Sequence, residues 1–418
     1  MPTASAVAEP REVMNDLLAD ERVRRAFRIF EERAEEIDAE HVRICEVPAP
    51  PFGEAVRAAY LRERLRECGL AAAELDAEGN CVALRPGRSE RPLLVLSAHL
   101  DTVFPEGTDF TVRRDSAGRM HAPGAADDGC GLAGLLAIAR ALEECRVETA
   151  GSILFVGTVG EEGEGNLRGV RHLLTAGGWA GRVDAFISLD GPGVERVTNA
   201  ALASRRYRVR CRGAGGHSWG DFGTPNPVHA VGRAIARLAA YPAPKRPRTT
   251  FNVGRVEGGA SVNVIPHEAA FDVDLRSESE EELRRLDAFF RRAAREAAED
   301  ENAARRSGTR PLELEVTLIG DRPGGETPPR ERIVRLAVEA TSAVGARPFL
   351  DRSSTDSNVP ISLGIPAVTL GAGGSSANTH TLEEWYDPRG RAQGLRRALL
   401  VALGAVGLAP PPKRSPAD

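Results

Sequence analysis

The chain has 418 residues, a formal net charge of −5 and an apolar fraction of 42%. That length exceeds one ordinary hydrophobic core and predicts two domains, and the weakly acidic balance leaves no electrostatic footprint for nucleic acid. No uninterrupted apolar run approaches membrane-spanning length, and the start from Met1 to Pro10 lacks the basic residues and apolar core of a signal peptide.

Residues 11–40 have a charged helical pattern, and Val47 to Gly53 forms a proline-rich break. A second amphipathic helix from Glu54 to Cys68 leads to strands near Ala73–Leu75 and Asn80–Leu84. The apolar run Pro92–Leu96 predicts a buried strand, closed by Ser97-Ala98-His99-Leu100-Asp101-Thr102. Gly124-Ala125-Ala126-Asp127-Asp128-Gly129 then precedes a helix over Leu132–Leu142, where two aspartates fit plain helix caps as well as ligands. Buried-strand patterns at Ser152–Val159 and Ala185–Leu189 are closed by Gly160-Glu161-Glu162-Gly163 and by Asp190-Gly191. Strands alternating with helices predict a largely parallel sheet, whose ligand sites lie beyond the strands' carboxyl ends.

From about Leu202 the pattern changes. Strands at Tyr207–Cys211, Thr250–Val256, Glu268–Leu275 and Leu312–Thr317 alternate with helices at Pro227–Leu238 and Glu280–Glu299. This β-α-β-β-α-β order is that of a ferredoxin-like α+β sandwich, inserted over 201–320 between the halves 1–200 and 321–418 of the first domain. The first pattern then returns with a helix at Arg332–Val344, a strand at Ala367–Leu370, a loop reaching His380 and a helix at Gln393–Val406. The Pro-rich tail Pro410–Asp418 is predicted to be disordered. The cysteines at 45, 68, 81, 130, 145 and 211 form no C-x-x-C pair, which reads as reduced thiols in a cytoplasmic protein.

His99, Asp101, Asp127, Glu161, Glu162, Asp190 and His380 gather the polar residues at these ends. So many carboxylates converge only around strong positive charge. Histidine nitrogen with carboxylate oxygen, and no cysteine, suits zinc, cobalt or manganese. One carboxylate bridging two metals, with one histidine and one carboxylate terminal on each, would use five of the residues. Glu161 is then left over beside Glu162, placed to move the proton of an attacking water in a hydrolysis.

With these motifs in this order, nearly the whole chain resembles the co-catalytic dizinc metallopeptidases and deacylases. That family includes peptidase T, glutamate carboxypeptidase, aminoacylase, acetylornithine deacetylase and succinyl-diaminopimelate desuccinylase. The resemblance implies a zinc exopeptidase-like α/β domain with an inserted dimerisation or lid domain. It implies His99 and Asp190 on one metal, Glu162 and His380 on the other, and Asp127 bridging. It further implies Asp101 orienting His99, Glu161 as general base, and a cis peptide after Asp127. Gly129 stands where the family often has lysine, so one landmark is missing while the ligand set is complete.

In the inserted domain, Gly215-Gly216-His217-Ser218 resembles the family's lid histidine, which enters the partner subunit's site to help hold the substrate carbonyl. Asn263 and Arg276 match positions that contact substrate, and Arg322 and Asp356 are further candidates near the cleft. His41, His121, His172, His229 and His267 lack a ligand-type setting, and the glycine clusters complete no G-x-G-x-x-G. The expectation is a cytoplasmic homodimer with two divalent metals, zinc foremost and cobalt or manganese as alternatives. It would cleave the amide bond of small peptides, without membrane or nucleic-acid partners. Aspartate at position 190 tends to accompany peptidases in the family, and glutamate deacylases. The rivals are an N-acyl amino acid deacylase and a catalytically silent peptide-binding dimer, which would have no need of Glu161.

Overall fold

The structure is a computed structural model that describes residues 8–410. Residues 1–7 of the start, and the tail expected to be disordered from residue 411 on, lie outside the described residues. The chain divides into two compact units, Met1–Ala201 with Glu326–Asp418, and Leu202–Gly325. The second boundary falls at Gly325 rather than 320, because the last strand of the second unit continues to Arg322, paired with Ser204.

Among the strands of the first unit's main sheet are β1 (Glu74–Leu75), β2 (Cys81–Arg85), β3 (Leu93–His99), β4 (Ser152–Thr158), β5 (Ala185–Leu189), β6 (Arg196–Ala201), β7 (Phe349–Ser353) and β8 (Ala367–Leu370). They lie in the order β1-β2-β4-β3-β5-β8-β6, with β7 against β6. β3 runs parallel to both β4 and β5, aligning Leu96 with Phe155 and Ile187, and β8 extends the parallel set beside β5. β2 and β6 pair antiparallel to β4 and β8, so the sheet is mixed with a parallel centre.

The near-continuous apolar sequence of β3 follows from burial on both faces. Leu94 and Leu96 pack into one core with the helices Cys130–Glu144 and Arg391–Val406, while Leu93 and Val95 pack into another with the helix Arg168–Thr175. Truncating Leu96 to alanine at this fully buried position would cost about 2–5 kcal/mol. The N-terminal pattern read as one helical stretch is three helices, Pro10–Ala19, Glu21–Glu32 and Ala34–Glu46. The first break is a capping event, in which the Asp20 side chain accepts the Arg22 N–H at 2.8 Å.

The second unit is a four-stranded antiparallel sheet, in the order 249–258, 268–277, 203–212 and 313–322, with the helices Pro227–Ala239 and Glu280–Ala303. Tyr207, Val209, Phe271, Val273, Leu286 and Phe290 belong to its core. Residues alternating with these carry charge, and Arg206 with Asp274 and Arg208 with Asp272 form cross-strand ion pairs. The order is that of a ferredoxin-like sandwich.

Candidate metal centre and active site

The parallel centre delivers its polar residues to one end of the sheet. His99 closes β3 and is 2% exposed. Its Nδ1 lies 3.0 Å from the Asp101 carbonyl oxygen, which can only accept, so Nδ1 carries a proton and Nε2 is the nitrogen left for a ligand. That Nε2 is 2.8 Å from Asp127 Oδ1. His380 comes from the loop after β8, and its Nε2 is 2.9 Å from Asp127 Oδ2 and 2.9 Å from Glu162 Oε1. The two imidazoles therefore sit on opposite oxygens of one carboxylate. Ligand-type atoms of His99, Asp127 and Glu162 all lie within 4.8 Å of one another.

The turn after β4 carries Glu161 and Glu162, whose backbone N–H groups donate to Asp101 Oδ1 and Oδ2 at 2.9 and 2.7 Å. Asp101, expected to orient His99, meets its ring nitrogen through the backbone and stands beside it with the carboxylate. The hydrogen bond at 3.0 Å is to the Asp101 backbone carbonyl, and the carboxylate stands 3.7 Å from Nδ1. That carboxylate chiefly pins the two glutamates. Asp190 follows β5, and burial, then the charge of Asp127, pushes its carboxyl up to about 7.

The electrostatics test whether these residues fit metal ions. Burial pulls the His99 pKa down, yet the neighbouring carboxylates of Asp101 and Asp127 carry it well above the ordinary range. Hydrogen bonds with Asp127 and Glu162 push His380 up to about 10. Burial of Asp127 is outweighed by His380 and His99, which hold its carboxyl below the usual range. Protons on two imidazoles thus supply positive charge to a carboxylate-rich pocket. Divalent cations supply more of it and displace those protons, so the donor set fits metal.

Two supporting residues stand behind these, Asp128, which the sequence offered as a helix cap, and Glu384, which it did not single out. Asp128 is fully buried and accepts the N–H of Gly131 at 3.0 Å, of Gly191 at 3.2 Å and of His99 at 3.2 Å. Through Gly131 it satisfies an N–H of the first turn of the helix Cys130–Glu144, whose N-cap residue is Gly129. A Cβ at Gly131 would meet Asp128 Oδ1 at 2.3 Å, which explains glycine there. The Asp127–Asp128 peptide is cis. Glu384 accepts the N–H of Ala126 at 2.6 Å and of Asp127 at 3.1 Å through Oε1, and that of His380 at 3.4 Å through Oε2. Its position four residues after His380 was the available signal. Asp356 is buried and accepts the Thr158 hydroxyl at 2.5 Å at the end of β4.

Within the second unit, His217 pairs with Val264 in a two-stranded ladder and is exposed. Its Nδ1 accepts the N–H groups of Trp219 and Gly220 at 3.2 and 3.3 Å, so the proton of the neutral ring resides on Nε2. Asn263 is exposed, its carbonyl accepting the Ser218 N–H at 3.0 Å. Arg276 Nε donates to Asp274 Oδ2 at 2.6 Å, and Arg322 is buried at the end of its strand.

Residues 95–402 match peptidase family M20/M25/M40. The chain is 26% identical over 365 residues to the uncharacterized protein YqjE of Bacillus subtilis (strain 168), covering 81% of this chain and 91% of that one. It is 27% identical over 337 residues to acetylornithine deacetylase of Myxococcus xanthus, covering 75% and 83% respectively. The crystal structure of aminopeptidase PepT from Bacillus cereus ATCC 10987 superposes with a TM-score of 0.71 at 22% identity, over 89% of this chain and 99% of that one. Among the described residues no helix is long and apolar enough to cross a membrane. With the family match spanning most of its length, the chain belongs to peptidase family M20/M25/M40 and is a metallopeptidase or amidohydrolase.

Proposed function

We propose that the protein is a cytoplasmic homodimeric hydrolase that cleaves the amide bond of di- or tripeptides with the help of two divalent metals, zinc foremost and cobalt or manganese as alternatives. The observation that carries this reading is the placement of two histidine Nε2 atoms on the two oxygens of Asp127, with Glu162 on the His380 side. His99 and Asp190 would hold one metal, Glu162 and His380 the other, and Asp127 both. When bound, such metals lower the pKa of water and polarise a carbonyl.

Glu161 is 4% exposed, and its backbone is tied to Asp101. As general base it takes the proton of the attacking water and returns it to the leaving amine. His217, with its proton on Nε2, donates to the substrate carbonyl oxygen as negative charge develops there, acting in the partner's site. Asn263, Arg276 and Arg322 bind the rest of the substrate.

Asp190 supports the peptidase reading, and the likeness to acetylornithine deacetylase supports the alternative of an N-acyl amino acid deacylase. Metal analysis of the purified chain, with a screen of short peptides against N-acetyl amino acids, tests both. Turnover of peptides by a protein holding two metals is expected. Turnover of N-acetyl amino acids alone would replace the peptidase reading with the deacylase one.

A further inference from the structure

One buried polar cluster lies outside the ligand-bearing strands and joins two distant parts of the first unit. His41, on the helix Ala34–Glu46, is fully buried. Its Nδ1 lies 2.6 Å from Arg391 Nη2, and its Nε2 lies 2.7 Å from the Ala125 carbonyl oxygen. A guanidinium only donates, so Nδ1 must accept and the ring proton resides on Nε2, donated to Ala125. Burial, then the charge of Arg391, keeps the ring neutral by holding its pKa well below the ordinary range. Arg391 is itself fixed by Asp38 Oδ1 at 2.5 Å and by the Tyr386 hydroxyl at 3.2 Å. The Tyr386 ring meets the His41 ring edge-on at 5.0 Å.

The backbone from Ala125 to Asp127 is therefore gripped from two directions. Glu384 accepts the N–H groups of Ala126 and Asp127, while His41 donates to the carbonyl of Ala125. Gly129 closes the same turn against the imidazole, since a Cβ there would stand 3.0 Å from His41 Nε2 and 2.7 Å from Cys45 Sγ. The turn has room for the histidine because position 129 has no side chain. Neither grip touches a ligand atom of Asp127 directly. Each acts through the backbone that aims it.

We propose that His41, with its tautomer set by Arg391, is a positioning residue that aims the Asp127 carboxylate through the Ala125 carbonyl. The inference rests on the reading of Asp127 as a metal ligand. The test measures Zn²⁺ affinity of the full chain by chelator competition, the melting temperature of the metal-free protein, and kcat and KM on a peptide from the screen. His41→Leu keeps the volume and removes the donor, and should weaken Zn²⁺ binding about 10–100-fold, as loss of a partner supporting a ligand does. It should lower kcat more than it raises KM. His41→Gln reaches the same carbonyl with an amide N–H and should recover most of the affinity, whereas the shorter His41→Asn should not. This Gln–Asn contrast decides the matter if the leucine variant does not fold. Equal Zn²⁺ affinity in wild type and His41→Leu overturns the inference alone. Equal weakening in the Gln and Asn variants does so too, leaving His41 a packing residue. A wild-type chain that binds no Zn²⁺ removes the metal-site reading itself.

Discussion

The two units hold their candidate residues in opposite ways. In the first, His99, Asp101, Glu161 and Glu162 are buried, and the backbone N–H groups of Ala126, Asp127, Glu161 and Glu162 are each tied to a carboxylate. In the second, His217 and Asn263 are exposed, the His217 ring accepting only from its own turn while the backbone of both segments is joined through the Ser218 N–H to Asn263 bond and the pairing of His217 with Val264. A buried hydrogen bond has no water to replace it, so its loss leaves a polar group stranded. An exposed one exchanges with solvent at little net cost. The strand-end cluster of the first unit is thus held by buried bonds before substrate arrives, while the His217 side chain is held by exposed bonds of its own turn. Mutations that remove this support in the first unit should therefore alter metal binding, whereas those at Glu161, which is no ligand in this reading, and at the second unit's residues should alter turnover without it.

The largest expected effect sharpens the first half of that contrast. Glu161→Gln keeps the volume, so metal content and melting temperature should match wild type while turnover falls roughly 10²–10⁴-fold, as for loss of a general base. Elemental analysis beside steady-state kinetics checks this, and an active variant with full metal content would remove Glu161 from that role.

His217→Ala addresses the second half. Loss of a donor to a developing oxyanion lowers kcat by about 10²–10³-fold. Because the ring is exposed, melting temperature and metal content should not move. Mixing inactive Glu161→Gln subunits with inactive His217→Ala subunits should partly restore activity if the histidine serves the partner's site. Demonstrated subunit exchange without recovery would place His217 in its own chain's site or outside the chemistry.

A smaller effect is expected at Glu384. Glu384→Ala leaves the N–H groups of Ala126 and Asp127 without their acceptor, and metal affinity should fall about 10–100-fold. Glu384→Gln retains an acceptor oxygen and should lose less. Chelator competition distinguishes the two, and unchanged affinity in the alanine variant would dissolve the claim that backbone support preorganises the centre.

The smallest effect is at Arg276, whose ion pair with Asp274 is part-exposed. Arg276→Ala should change stability by no more than about 1 kcal/mol, since solvent-exposed pairs contribute little. A raised KM with the fold intact would support a substrate contact, and an unchanged KM would return Arg276 to the surface.

Much of this molecule was legible in its sequence because the physics involved is local. The apolar run ending at His99, the glycine-flanked Glu161-Glu162 pair and Asp190 after its strand are signals of a few residues each. A parallel sheet brings such strand ends together whatever the details of packing. Strands β6 and β7 escaped notice, since Arg196-Val197-Thr198-Asn199 and Phe349-Leu350-Asp351-Arg352 carry too much polarity to read as strands. They become strands by pairing with each other and, for β6, with β8. Only the tertiary structure showed that the Asp101 carboxylate holds the glutamates' backbone, that Asp128 joins two strand ends, and that Glu384 and His41 grip one turn from two sides. These contacts join residues from about 30 to 260 positions apart, where no spacing rule reaches. The sequence supplies donors and acceptors, and the fold decides which of them meet out of reach of water.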